Sequence, residues 1–173
     1  MSRADITAGL SALVEKHLSK NGRPWAKEVT MHTLGGIRPD YMSVNADWGG
    51  IAEICHIERA TVSVYEVKSC MADVKSGNGL NAIGDHNWLV LPYELHRELV
   101  MSDDNPAPCW FGKAWPVPEG CGFGDLDYMP AYEGQADGWE LHWAESHYPA
   151  KHHGRKAPLV AYLWAMMYAG VRR

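Results

Sequence analysis

Two short polar segments carry the residue types of a cation site. Asp40 lies in one of them, and Glu66 and Lys68 lie in the other, 26 positions further on, with Val67 between them. Because side chains alternate along a strand, Glu66 and Lys68 share one face if this segment is extended. If the strand that carries Asp40 pairs beside it, two carboxylates and one ammonium group meet at one edge of the sheet.

This set of groups suits metal-assisted cleavage of a phosphodiester. Mg²⁺ prefers oxygen ligands, and the carboxylates of Asp40 and Glu66 with the Val67 carbonyl could supply them. A bound Mg²⁺ or Mn²⁺ lowers the pKa of water and neutralises charge that develops on the phosphate. Lys68 would hold the attacking water or stabilise the transition state. The alternative is that Glu66 and Lys68 form a solvent-exposed ion pair on a surface strand.

The first half of the chain predicts the elements that would position these groups. Apolar residues at helical spacing predict an amphipathic helix over about 5–20. Strands are predicted over 27–34 and 37–44, joined by a turn at Gly35-Gly36. A loop is predicted over 45–50, and the element over 51–57 could be helix or strand. The strongest strand signal covers 60–68, which is rich in β-branched residues.

The elements after this strand favour a crossover between parallel strands. A short helical turn is predicted over 69–75, a buried strand over 87–92 and a helix over 93–101, and such a succession typically forms a right-handed unit. The remaining predictions are loops and short edge strands over 102–138, a terminal strand over 138–143 and a C-terminal helix over about 156–171. We find no internal repeat or linker and predict one α/β domain over 1–173, with a motif-bearing core over about 5–100 and a loop-rich part over 102–150.

Composition and charge exclude several classes of protein. The chain has 173 residues, of which 46% are apolar and 21% charged, as is typical of globular proteins. Its net charge of −5 excludes a non-specific nucleic-acid coat. Residues 98–150 carry one Lys and 10 acidic residues, whereas 151–173 carry five basic residues and no acidic one, so a local basic surface is expected at the C-terminus.

The expected compartment follows from apolar runs and cysteines. No apolar run approaches the length of a membrane span, and the N-terminus does not resemble a signal peptide, so a cytoplasmic protein is expected. The four cysteines form no C-x-x-C pair and are expected to be buried thiols rather than zinc ligands.

The motifs together resemble the PD-(D/E)XK nuclease superfamily, and within it most of all the small MmcB-like DNA-repair proteins. The shared pattern is an Arg-x-Asp strand at 38–40, an E-x-K strand at 66–68, a Ser followed by Ala-Asp at 69–73, and an apolar strand ending in Pro at 88–92. The resemblance covers about 5–100 well and the remainder poorly.

The resemblance implies a restriction-endonuclease-like fold, in which a mixed β-sheet is flanked by helices, together with a Mg²⁺ or Mn²⁺ site and DNA as the partner. It places a further catalytic carboxylate on Glu28, beside the candidates already named. The implied substrate contacts lie next to the motifs and are Arg38, Ser69, Asp73 and Lys75. As helix-surface charges, Asp73 and Lys75 need no function, so that interpretation is kept open.

Two departures from the family pattern keep other functions open. Residues 75–81 replace a basic and aromatic helix, and Met71 stands where the family has Arg, so groups that could grip phosphate are missing. One alternative is a catalytically inactive DNA-binding or assembly protein that keeps the fold. Another is a protein-interaction module that presents the acidic 98–145 region to a basic partner, and a homo-oligomer is also compatible with the sequence. Glu15 is a rival third carboxylate, which its helical position predicts to be solvated.

Overall fold

A computed structural model describes residues 2–20, 22–45, 59–121, 130–144 and 154–171. It confirms an α/β fold in which helices flank a mixed sheet. The helices are α1 (Arg3–Lys20), α2 (Met71–Lys75), α3 (Tyr93–Met101) and α4 (Leu159–Val171), with a 3₁₀ helix at His32–Leu34. The strands are β1 (Trp25–Lys27), β2 (Tyr41–Asn45), β3 (Thr61–Val67), β4 (His86–Val90), β5 (Gly112–Pro118) and β6 (Trp139–Ala144).

The six strands lie side by side in chain order. β1, β2 and β3 pair antiparallel, β3, β4 and β5 pair parallel, and β6 returns antiparallel to β5. Parallel neighbours need a crossover, and α2 lies in the connection from β3 to β4 while α3 lies in that from β4 to β5. The predicted strand, helical turn and buried strand are therefore confirmed.

The two faces of the sheet carry different cores. α1 covers one face, where Tyr65 and Val67 of β3 belong to its apolar cluster. On the opposite face, Val64 packs in a cluster with α4, and Leu89 of β4 packs in a cluster with α3. Glu66 pairs in register with Leu89 and alternates with Tyr65 and Val67, so it points to this second face.

The strands predicted over 27–34 and 37–44 are only partly correct. β1 ends at Lys27 because Glu28 adopts a left-handed conformation with φ of 50°, which an extended strand does not admit. The predicted Gly35-Gly36 turn is present and follows the 3₁₀ helix. β2 begins only at Tyr41, because Pro39 shortly before it has no N–H to donate to a neighbouring strand.

The prediction of short edge strands over 102–138 is wrong for β5, which is long and lies between β4 and β6. Pro116 and Pro118 are tolerated there for a geometric reason. The Ala114 carbonyl accepts the Leu91 N–H at 3.0 Å, so even-numbered positions of β5 point their backbone groups toward β4. The pairing of β4 with β5 ends at Ala114, so β4 does not run beside Pro116 or Pro118. An N–H group at either position would point toward β4 but find no acceptor there, and its absence in proline therefore costs no hydrogen bond.

Some predictions lie outside the described residues. These are the loop at 45–50 beyond Asn45, the whole of the element at 51–57 that could be helix or strand, and part of the basic C-terminal surface. Within the described part of the chain, no helix is both long and apolar enough to cross a membrane.

Candidate active site

The pairing of β2 with β3 places Asp40 opposite Glu66. Tyr41 pairs with Tyr65, so the residue before Tyr41 stands across from the residue after Tyr65. Oδ2 of Asp40 accepts the Val67 N–H at 2.8 Å, which continues the strand pairing through a side chain. The Asp40 and Glu66 carboxyl groups also share a hydrogen bond. The structure thus brings together two acidic residues that are far apart in sequence.

Glu66 is buried in a way that favours a neutral carboxyl group. Its side chain belongs to a residue only 2% exposed. Burial, and after it the charge of Asp40, raises the pKa of Glu66 to about 9, while the Lys68 ammonium acts in the opposite direction. At neutral pH the Glu66 carboxyl group therefore keeps its proton, which it can donate in the hydrogen bond with Asp40.

The donor set fits a divalent cation. A cation between the two carboxyl groups would replace the Glu66 proton and supply positive charge in addition to that of Lys68. In an extended strand the N–H and C=O of a residue point to the same side, so the Val67 carbonyl faces Asp40 as well. No group of three or more His, Cys, Asp or Glu side chains that could hold a metal occurs among the described residues. The remaining ligands would therefore be this carbonyl, water or substrate oxygens.

Lys68 lies on the same face as Glu66 and is 8% exposed. Its backbone N–H donates to the Val90 carbonyl at 2.9 Å, which anchors it to β4. Its Nζ donates to the Asn78 carbonyl at 2.6 Å. The ammonium group is thus a buried neighbour of the carboxyl pair, and the surface ion pair considered from the sequence does not describe it.

The segment 76–80 covers this cluster, a contact that the sequence pattern does not predict. Gly79 lies so close to Glu66 that an added Cβ would be 2.2 Å from Oε2. Its φ of 79° also disfavours any other residue. The Gly77-Asn78-Gly79 sequence predicts that the short helix ends there. It does not indicate that the segment after the helix packs on Glu66.

Ser69 and Asp73 lie beside the cluster at the start of α2. Ser69 Oγ donates to Asp73 Oδ2 at 3.2 Å, and Arg3 forms an ion pair with the same carboxylate. Burial alone would raise the pKa of Asp73, but the Arg3 and Ser69 hydrogen bonds and the charges of Arg3 and Lys68 lower it. Asp73 is therefore an ionised acceptor near the site, whereas Lys75 is exposed at the end of α2.

Glu28 and Arg38 are not brought into the cluster. Glu28 touches the site only through its backbone, whose N–H donates to the Asp40 carbonyl at 2.8 Å. Both side chains line a groove of about 370 Å³ against α4, and the lining of that groove includes neither Asp40 nor Glu66. The left-handed conformation of Glu28 directs its side chain away from the cluster.

Glu15 is not simply solvated, contrary to the expectation from its helical position. Its Oε1 accepts a hydrogen bond from the Tyr41 hydroxyl at 3.0 Å and lies 3.6 Å from Lys27 Nζ. The flank of α1 packs over the start of β2, which the helical period alone did not show. Tyr41 and Asp40 alternate along the chain, so Glu15 lies on the face opposite to Glu66.

Asp85 and Asn87 are accounted for by the fold. Asp85 Oδ2 accepts the Val62 N–H at 2.8 Å and lies 3.2 Å from Arg155 Nε. Asn87 Oδ1 accepts the backbone N–H groups of Ile83 and Gly84 at 3.1 and 3.0 Å. The Asn87 bonds close the turn before β4, and the Asp85 bonds connect this turn to β3 and to Arg155.

Comparison with known proteins establishes the fold and nothing more specific. No protein-family model and no curated protein sequence matches the chain. Its structure is similar to that of the SPO1766 protein of unknown function from Silicibacter pomeroyi, with a TM-score of 0.56 and 16% sequence identity. The similarity covers 95% of this chain and 85% of that protein.

Proposed function

We propose that this protein is a metal-dependent DNA nuclease that hydrolyses phosphodiester bonds at the cluster of Asp40, Glu66 and Lys68. The contact between the two carboxyl groups supports this proposal most directly. Burying two acids against each other is unfavourable unless a proton or a cation compensates them. A divalent cation would compensate the two acids and would also give the cluster a catalytic function.

Each residue has a distinct role in this proposal. Asp40, Glu66 and the Val67 carbonyl would hold Mg²⁺ or Mn²⁺, which when bound would lower the pKa of a water and neutralise charge on the phosphate. Glu66 would release its proton to the solvent when it becomes a ligand. Lys68 orients the attacking water or stabilises the developing charge through its ammonium group.

DNA is proposed as the substrate on the strength of the resemblance and of the groups around the cluster. Lys75 is an exposed cation at the end of α2 that would contact a phosphate, and Ser69, held by its hydrogen bond to Asp73, would position the strand next to Lys68. Arg38 lies in the groove against α4, so it would contact a phosphate only where the DNA extends beyond the cluster. The same resemblance supports a role for Glu28 as an additional carboxylate after movement of its turn. We place the protein in the cytoplasm, in repair, recombination or defence against mobile elements.

The segment 76–80 must move for this reaction to occur. Gly79 packs on the Glu66 carboxyl group, and the Asn78 carbonyl accepts a hydrogen bond from the Lys68 ammonium group. This covering supports a second candidate function, in which the chain binds DNA through the same fold without cleaving it. The two candidates differ in whether Lys68 has any effect on DNA.

Cleavage assays distinguish the candidates. Plasmid, single-stranded and branched DNA would be incubated with Mg²⁺ or Mn²⁺ and with wild type, Asp40→Asn, Glu66→Gln or Lys68→Met. We expect each substitution to lower cleavage by about 10²–10³-fold, as loss of a group that stabilises transition-state charge does. Glu94→Gln, which removes an exposed carboxylate on α3, serves as the matched control and keeps wild-type activity.

Two outcomes would contradict the nuclease proposal. Equal cleavage by wild type and all variants would identify a contaminating enzyme as the source of the activity. DNA binding by the wild type without cleavage of any substrate, unchanged in Lys68→Met, would favour the non-catalytic candidate.

A further inference from the structure

A second cavity lies on the other face of the sheet, away from Glu66. It encloses about 330 Å³ and is bounded by α1, the segment after α1, and the strands β2, β3, β4 and β6. Tyr65 of β3 lines it, and Tyr65 alternates with Glu66, so the two sites lie on opposite faces. Its volume falls in the range of about 300–1,000 Å³ that is usual for small-molecule sites.

Three aromatic residues form one wall of this cavity. Trp143 meets Trp88 edge to face, with ring centroids 4.9 Å apart and planes at 85°. It meets Tyr65 in the same manner, at 5.9 Å and 76°. Trp88 and Trp143 line the cavity and are both partly exposed, so a planar ligand can contact their rings beside His17, whose ring centroid lies 4.4 Å from that of Trp143.

Cationic and titratable groups lie around the same cavity. Arg23, His17 and His86 line it, and no Asp or Glu is among its described lining residues, although the chain has a net charge of −5. Burial, and after it the charges of Arg23 and Lys20, lowers the pKa of His17. Arg23 lines the cavity with an exposed guanidinium group, whose positive charge would favour an anion there.

Hydroxyl groups complete the lining. Thr61 and Ser63 present side chains from β3 into the same space. A ligand suited to this cavity therefore has a planar ring for the aromatic wall, an anionic group for Arg23, and polar atoms for the hydroxyl groups. A base with its phosphate combines these three features.

We infer that this cavity binds a nucleotide, with the base against Trp88 and Trp143 and the 5′-phosphate against Arg23 and His86. The inference does not depend on the proposed nuclease activity, because its residues lie on the other face of the sheet. The nucleotide could be a free monophosphate or the 5′-terminal nucleotide of a DNA strand, since both present the same base and phosphate.

Calorimetric titration of the full chain tests this inference. The ligands are deoxyadenosine monophosphate, deoxyadenosine, inorganic phosphate, and an oligonucleotide with and without a 5′-phosphate. We expect the monophosphate to bind at least about tenfold more tightly than deoxyadenosine or phosphate alone, because it engages the aromatic wall and the Arg23 guanidinium group together. Tighter binding of the phosphorylated oligonucleotide than of the monophosphate would show that the cavity binds the 5′-terminal nucleotide of a DNA strand rather than a free nucleotide.

Variants at exposed positions keep the test independent of folding. Arg23→Gln and His86→Gln should each weaken binding of the monophosphate by about tenfold, as loss of a charge-assisted hydrogen bond does. Arg97→Gln removes an exposed positive charge from α3 and should leave the affinity unchanged. The inference is overturned if the monophosphate does not bind, or if Arg97→Gln weakens it as much as Arg23→Gln does.

Discussion

Replacing Glu66 by Gln should make the stability of the metal-free protein less dependent on pH. The folded protein keeps the Glu66 proton up to a pKa of about 9, whereas the unfolded chain loses it near the usual value of 4.5. Between these values the folded state holds one more proton than the unfolded state, so the free energy of unfolding falls as the pH rises. Gln has no such proton to lose, and its amide can still donate a hydrogen bond to Asp40.

The size of the effect follows from this single proton. A difference of one bound proton changes the free energy of unfolding by about 1.4 kcal/mol per pH unit. From pH 6 to pH 8 the wild type should therefore lose about 3 kcal/mol more than Glu66→Gln does. For a chain of this length, that corresponds to a difference of about 6–12 °C in the change of Tm.

Urea denaturation at pH 6, 7 and 8 in the presence of a chelator measures this difference. Glu94→Gln is the control and should follow the wild type, because Glu94 is exposed. Groups such as the histidines titrate equally in all three proteins, so only the difference between them reports on Glu66. Parallel curves for wild type and Glu66→Gln would show that Glu66 is already ionised in the folded protein, and would refute the argument that it keeps its proton.

Three further predictions concern the same cluster and its support. At pH 8, Mn²⁺ at about 100 times its dissociation constant should stabilise the wild type by about 3 kcal/mol and stabilise Asp40→Asn much less, as thermal melts with and without the ion would show. Gly79→Ala should lower the free energy of unfolding by at least about 2 kcal/mol, because the added Cβ would clash with Glu66 and the backbone is left-handed. Urea denaturation measures this loss, and a variant as stable as wild type would contradict the described packing. Asp85→Ala should cost about 2–3 kcal/mol in the same assay, since the Val62 N–H loses its acceptor, and a change below 0.5 kcal/mol would contradict that role.

Local patterns predicted the elements whose own residues determine them. The β-branched run of β3, the apolar run of β4 and the segment of α3 were found close to their observed bounds. Strand alternation also placed Glu66 and Lys68 on one face without any tertiary information. The contact of Asp40 with Glu66 was predicted on the condition that their strands pair, and the observed register meets that condition.

Other features depend on residues distant in the chain. β1 ends at a left-handed Glu28, and β5 tolerates Pro116 because β4 has already ended beside it. The cavity beside Trp88 and Trp143 brings together five separate elements, so no single segment indicated it. Tertiary packing determines the backbone conformation of a residue such as Glu28 and the point at which a neighbouring strand ends. A short sequence pattern carries no information about that packing.

The sequence by itself determined which side chains have the chemistry for a cation site and which of them share a strand face. Only the tertiary structure decided that Gly79 closes over Glu66 and that this carboxyl group therefore keeps its proton at neutral pH. The reason is that alternation is a property of adjacent residues, whereas burial is the sum of contacts from segments far apart in the chain. The protonation state of the site depends on burial and on neighbouring charges, and so on the folded chain as a whole.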